Sequence, residues 1–202
     1  MSDFAGKLES LINKLEGLKA TDIEKEEKFN KFLDEVSNFY QEVYNVDEDE
    51  VTILLSNKKR NVLSFAKPDY LRDTGFIPMT SPDSMAVKSI QEKKAKLMNH
   101  IASIRHANIF ESVKHPKKYS RPIQMMMIAP IFVEGVPLGA VEVVRKGNTK
   151  TEAGDDFSQE DFKNFVESVK KLAPYFLYFT PEDFRGKLIS DEDELPPEEG
   201  KA

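Results

Sequence analysis

The chain contains no cysteine. That absence removes disulfides, thiolate metal sites, cysteine nucleophiles and thioether-attached cofactors together, and it suits the reducing cytoplasm, where the protein is expected to reside. Histidine is scarce, with His100, His106 and His115 the three present. On one helix His100 and His106 would point about 240° apart, and His115 falls in the loop "HPKKYSRP", so no metal site is expected from them. Long apolar runs are missing too: none nears the roughly 18–20 residues that span a bilayer. The opening "MSDFAGKLESL" lacks the basic, apolar and small-residue layout of a signal peptide. Basic excess is absent, since 29 Lys and Arg against 35 Asp and Glu leave a net charge of −6, the wrong sign for a nucleic-acid-binding face. No G-x-S-x-G, P-loop or H-E-x-x-H occurs, and the acidic clusters at 47–50 and 191–194 read as solvated loop and tail. Neither a catalytic residue nor a cofactor is expected.

What is present is enough for one ordinary domain with appendages: 202 residues, 40% of them hydrophobic. Phe4, Leu8, Leu11, Leu15 and Leu18 recur at the spacing of a coiled-coil seam. Residues 1–20 therefore read as an amphipathic helix that lies either on its own domain or on a second copy, giving a homodimer. It is too short to be stable alone in water. Thr21 and Glu24 form a candidate capping box for a second helix from Asp22, with Phe29, Phe32, Val36, Phe39 and Val43 on its apolar stripe.

From Val51 the period changes to two. "VTILLSN" and "NVLSFAK" flank Lys58-Lys59 as a hairpin, and "DTGFIPMTSPDS" reads as loop. Ser81 and Pro82 are expected to open a helix, "AKLM" a short strand, and Asn99 to cap a further helix over "HIASIRHANIFESVK". Two strands, about 123–133 and 136–145, join at Glu134-Gly135. Ser158 caps the last helix. Residues 21–182 thus form an α+β domain with a mostly antiparallel central sheet and helices on both faces, and 183–202 an acidic disordered tail.

In that order these segments resemble the GAF domains, small-molecule-sensing modules of signalling proteins. The resemblance runs over about Phe29 to Phe179 and is carried by "VTILLSN…NVLSFAK", "GFIP", "KLMN", "IAPIFVEGVPLGAVEVV" and "FSQEDF". It implies a sensory or regulatory module, with a ligand-free interaction module as the alternative. The end of the domain is also similar to the GAF domains of cyclic-nucleotide phosphodiesterases, which carry Asn-Lys and then Phe-x-x-x-Asp-Glu. Lys146, Phe157 and Asp161 match that signature, while Arg145 stands for its Asn and Phe162 for its Glu. The match implies a structural Lys146–Asp161 ion pair. GAF-type methionine sulfoxide reductases use cysteines, which this chain lacks.

The resemblance also implies a pocket on one sheet face, beneath the segment 100–121. That segment holds all the histidines with Arg105, Lys114, Lys117, Lys118 and Arg121, and Glu111 is its one acid. Such a field favours an anionic ligand, with Arg105 and His106 as candidate contacts; solvent-facing charges are the plainer reading. Glu142 sits mid-strand in "AVEVV", where a bare carboxylate is costly. It is either a ligand contact or the partner of a residue such as Arg105. In "QMMMIAP" alternate side chains face opposite ways, so the methionines cannot converge on one metal. A two-residue turn at Glu134-Gly135 pairs Met127 with Glu142 and puts Met125 and Met127 on the pocket floor. A longer loop reverses that facing.

Overall fold

The computed structural model describes residues 3–57, 59, 61–72, 75–101, 121–182 and 184. Along the chain come helices α1 (Asp3–Lys19) and α2 (Lys25–Tyr44), strands β1 (Val51–Ser56), β2 (Val62–Lys67) and β3 (Phe76–Pro78), helix α3 (Met85–Glu92) and strand β4 (Lys96–Met98). The long hairpin β5 (Ile123–Val133) and β6 (Val136–Lys146), a short helix α4 (Lys150–Ala153) and helix α5 (Gln159–Phe179) complete it. The six strands form one sheet in the order β3-β2-β1-β6-β5-β4, antiparallel at every pairing. Pro130 falls just past Ile128, opposite which β4 begins, where β5 has no outer partner strand among the described residues and a missing N–H on that side breaks no ladder.

Strand alternation feeds a separate core on each face. One holds Ile53, Leu55, Met125, Met127, Val141 and Val143 beneath α1, α2 and α5. The other holds Leu54, Phe65, Met126, Ile128, Ala140 and Val144 against Ala86, Val87 and Ile90 of α3. The first is rich in aromatics. Phe32 of α2 meets Phe176 edge-on and Phe179 face-on, each at 4.9 Å. Tyr40 lies fully buried with its hydroxyl 3.1 Å from Ser168 Oγ.

Several ends differ from expectation. Helix α2 starts at Lys25 with no side-chain cap, because Thr21 turns back to donate to the Leu18 carbonyl at 2.7 Å. Ser84, not Ser81, caps α3 by accepting from the Val87 amide. Part of the expected 73–84 loop is strand β3, paired with Val62–Ser64. Ser158 and Asp161 form a reciprocal capping box on α5. Asn99 instead exchanges two hydrogen bonds with the Phe157 backbone, 2.9 and 3.2 Å. The helix expected after it lies outside the described residues beyond Ile101. In the expected tail, Phe184 packs edge-on against Phe29 at 5.4 Å, and the remainder lies outside the described residues.

The leucine seam of α1 is covered within the chain. Leu8, Leu11 and Leu15 are buried in the aromatic core. Lys7–Glu42 (3.2 Å) and Lys14–Glu35 (2.9 Å) tie α1 to α2, and the Tyr175 hydroxyl donates to Glu16 at 2.6 Å from α5. A helix too short to stand alone has here taken the nearest apolar surface, its own domain, so the seam is not open to a second copy. Leu15→Ala should lower the unfolding free energy by about 3 kcal/mol in urea titration, independently of protein concentration. A midpoint that rises with concentration would show instead that the seam is shared between copies.

Candidate functional site

Glu142 lies in the middle of β6, opposite Thr52 of β1 on one side and Ile128 of β5 on the other. Its strand neighbours two residues away, Ala140 and Val144, belong to the α3 core, so its side chain leaves the sheet on that face. It is 0% exposed. Among the described residues neither carboxylate oxygen has a hydrogen-bond partner. Burial pushes its pKa from the ordinary 4.5 up to about 8. A polar group held this way is costly unless something outside the described residues satisfies it.

The methionines do not sit where the two-residue turn implied. The turn itself forms, with Val133 opposite Val136 and with Glu134 and Gly135 both at positive φ. Between Phe132–Pro137 and Ile131–Gly139, however, the register slips and Leu138 is left over. One extra residue on β6 reverses the facing of that strand's later side chains relative to β5. Met127 stands opposite Val143, and Ile128 opposite Glu142. Met125 and Met127 therefore lie in the aromatic core, and Met126 shares the face of Glu142.

The expected Lys146–Asp161 pair is replaced by two separate arrangements. Lys146 Nζ binds Asp49 Oδ2 at 2.9 Å, both side chains nearly buried, and also donates to the Asp49 carbonyl. The Lys146 amide donates to Glu50, whose other oxygen accepts from the Asp47 amide at 2.9 Å. Asp161 is engaged locally, accepting from the Ser158 amide and hydroxyl at 2.8 and 2.7 Å. The acidic run 47–50 is thus no solvated loop at Asp49 and Glu50, which are buried. Its position immediately before β1, beside the end of β6, is the signal that could have found the clasp. Arg145 extends over the Phe157 ring at 4.8 Å and donates to the Tyr44 carbonyl at 3.0 Å.

Arg105 and His106 lie outside the described residues, as do Lys114, His115, Lys117 and Lys118. At the borders of that segment, Arg121 pairs with Asp47 at 3.1 Å and His100 Nε2 lies 3.2 Å from Lys150 Nζ. Among the described residues no group of three or more metal-ligating side chains occurs, and no helix is long and apolar enough to cross a membrane. A cavity of about 210 Å³ lies between Ser56, Leu138, Leu177 and Thr180. Another, of about 220 Å³, lies between Ala129, Pro130, Val166 and Lys170. Glu142 lines neither.

A central antiparallel sheet with a long β5–β6 hairpin, helices on both faces and an N-terminal helix define the GAF fold, and this chain has it. No family model matches the chain, and no curated protein matches it either. Solved structures of the same fold include the GAF domain of an Acinetobacter phosphoenolpyruvate-protein phosphotransferase, at TM-score 0.63 and 11% identity over 88% of this chain and 96% of that one. The GAF domain of the Coxiella burnetii phosphoenolpyruvate-protein phosphotransferase matches at TM-score 0.61 and 12% identity, over 88% and 96%. The free methionine-R-sulfoxide reductase of Neisseria meningitidis, solved with its substrate, matches at TM-score 0.55 and 12% identity, over 89% and 92%. At such identities the likeness is one of fold.

Two measurements follow from the buried charges. Asp49→Ala strands the Lys146 ammonium and should cost about 3–5 kcal/mol, whereas Asp161→Ala removes only a cap and should cost about 1 kcal/mol; equal losses in urea titration would contradict the Lys146–Asp49 clasp. For Glu142 the folded-state pKa is raised, from 4.5 to about 8. Over that window the folded protein keeps a proton that the unfolded chain releases, so stability falls as pH rises. The penalty amounts to about 3 kcal/mol at pH 7. Glu142→Leu should recover most of it and flatten the stability profile between pH 5 and 8, as read by denaturant titration.

Proposed function

We propose that this chain is a sensory or regulatory GAF module that binds a small molecule non-covalently on the α3 face of its sheet, with Glu142 on the floor of the site. The carrying observation is that fully buried carboxyl with no partner among the described residues. A fold that leaves such a group in its centre does so at a cost to stability, and a bound molecule is the direct way to satisfy it. Sequence supplies the rest of the reading. Arg105 and His106, with Lys114, Lys117, Lys118 and Arg121, give the segment 100–121 its positive charge and would attract an anionic part of the ligand. Met126, in place of Met125 and Met127, is the methionine on the ligand's side. The module is non-catalytic in this reading and works in the cytoplasm. Its output passes to a separate partner or a second copy through a surface other than the α1 seam.

A second reading is favoured by a different observation. Leu177 and Tyr178 are large, apolar and more than half exposed on α5, and Leu177 borders the cavity at Leu138 and Thr180. In that reading the domain is a ligand-free docking module and this patch receives the partner.

Native mass spectrometry of the freshly purified protein, followed by thermal-shift measurements with metabolites and nucleotides, tests the choice. The sensory reading expects a retained small molecule or a stabilising compound whose effect is lost in Glu142→Ala. Protein that carries nothing and responds to no compound, yet loses solubility or a partner complex only when Leu177 and Tyr178 are altered, would sink it in favour of docking.

A further inference from the structure

From Ala129 to Val133 the outer side of β5 has no partner strand among the described residues, because β4 meets it only from Met126 to Ile128. Upstream of Lys96 the chain leaves the sheet. Ser89 of α3 engages both backbone groups of Lys94: its carbonyl accepts from the Lys94 amide at 3.0 Å, and its hydroxyl donates to the Lys94 carbonyl at 2.7 Å. The hairpin turn closes on Val133 and Val136, which directs the backbone groups of Val133 toward β6. Alternation then turns the carbonyl of Pro130 and both backbone groups of Phe132 to the outer edge. We propose that this edge and the hollow beside it form a docking groove for an extended acidic segment of a partner protein. The segment pairs with β5 as an added strand and sets its acids against Lys93 and Lys170.

Three features converge on that occupant. The edge offers main-chain groups, which another main chain satisfies in series. The hollow, of about 220 Å³, is walled by Ala95, Ala129, Phe132, Val166 and Val169. That is below the roughly 300–1,000 Å³ that encloses a small ligand, and it suits side chains projecting from a strand. Lys93 and Lys170 stand on its rim, both exposed. Among the described residues neither has an acidic partner, and the acids beside them are taken: Glu92 by Lys96 at 3.0 Å and Glu167 by Lys171 at 2.9 Å.

The two lysines serve opposite faces of the sheet. Lys93 ends α3 over one face, where Phe132 packs. Lys170 belongs to α5 over the other, where Ala129 and Val169 pack. Side chains of an added strand alternate between those faces, and each face presents an apolar wall with one cation at its rim. The fitting segment therefore mixes apolar and acidic residues, and a basic one is repelled. An edge guarded only against aggregation would need its proline and lysine, but no apolar hollow. Neither Glu142 nor Leu177 and Tyr178 line this groove, so the inference stands or falls apart from both readings above.

The test is an NMR titration of the full chain, read on its backbone amides, with blocked pentapeptides of three central valines. One is flanked by glutamates, one by lysines, and one by glutamates with every backbone nitrogen methylated. The glutamate peptide should shift the amides of Phe132, Lys93 and Lys170 and their neighbours, and the other two should leave them in place. Lys93→Glu combined with Lys170→Glu should weaken binding at least roughly fivefold, with the variant's folding checked by its melting curve. Equal binding of the lysine or methylated peptide, shifts centred elsewhere, or unchanged affinity in the double variant overturns the inference. So does the absence of any shift at roughly millimolar glutamate peptide. Hexanoate producing the same shifts would replace the partner segment with a small amphiphilic acid, and overturns it too.

Discussion

One backbone contact settles the character of the whole sheet. At Gly139 the chain runs with φ +154° so close to β1 that a Cβ would overlap the Leu54 carbonyl oxygen, so glycine alone fits there. The extra residue beside it, Leu138, shifts the β5–β6 register by one, and the β6 side chains beyond it change face relative to those of β5. Glu142 is thereby sent to the α3 side, and Val141 and Val143 join Met125 and Met127 on the aromatic side. With β1 pairing Val51 to Val143, the residues before Val51 run alongside the end of β6, which brings Asp49 and Glu50 to Lys146.

Three buried acids of this protein meet the same low dielectric with opposite results. Asp49 is buried with a lysine ammonium 2.9 Å away, and Glu50 is filled by two backbone amides. Each has the counter-charge or donors that make burial tolerable. Glu142 has neither among the described residues. A core that provides so completely for two carboxylates yet leaves a third without a partner among the described residues is not short of means to pair it. Places where a fold breaks its own rules are where function is sought first.

The elements were legible in the sequence wherever one periodicity ran unbroken. Phe29, Phe32, Val36 and Phe39 mark the buried stripe of α2, Glu134-Gly135 marks the hairpin turn, and Ser158 with Asp161 marks the start of α5. The facing of the hairpin was not legible. It depends on Gly139 approaching a strand some eighty residues earlier, and a single glycine among apolar residues carries no local sign of a bulge. The clasp of Lys146 was hidden for a similar reason. "DEDE" has the composition of a solvated loop, and only tertiary pairing of β1 with β6 converts half of it into buried ligands for one lysine. Capping also misled where two helices competed for one residue: Thr21 satisfies the end of α1 instead of the start of α2.

The layer order constrains how occupancy of the α3 face would reach the rest of the molecule. Glu142 has its neighbours Val141 and Val143 in the opposite core, beneath α1, α2 and α5. A group drawn toward or away from Glu142 therefore acts on those helices through the β6 backbone, with no intervening loop. The aromatic core beneath them is tightly joined, from Phe32 through Phe176 and Phe179 to Tyr40 and Phe165, so it would respond by shifting helices as bodies and not by local softening. A ligand changes that balance only to the extent that it binds one arrangement better than the other. Ionising Glu142 is such a difference, because a charged carboxylate and a neutral acid make unequal demands on the same site. Were a molecule to bind on this face, an acid without a partner among the described residues would be the physical lever by which binding is felt across the sheet.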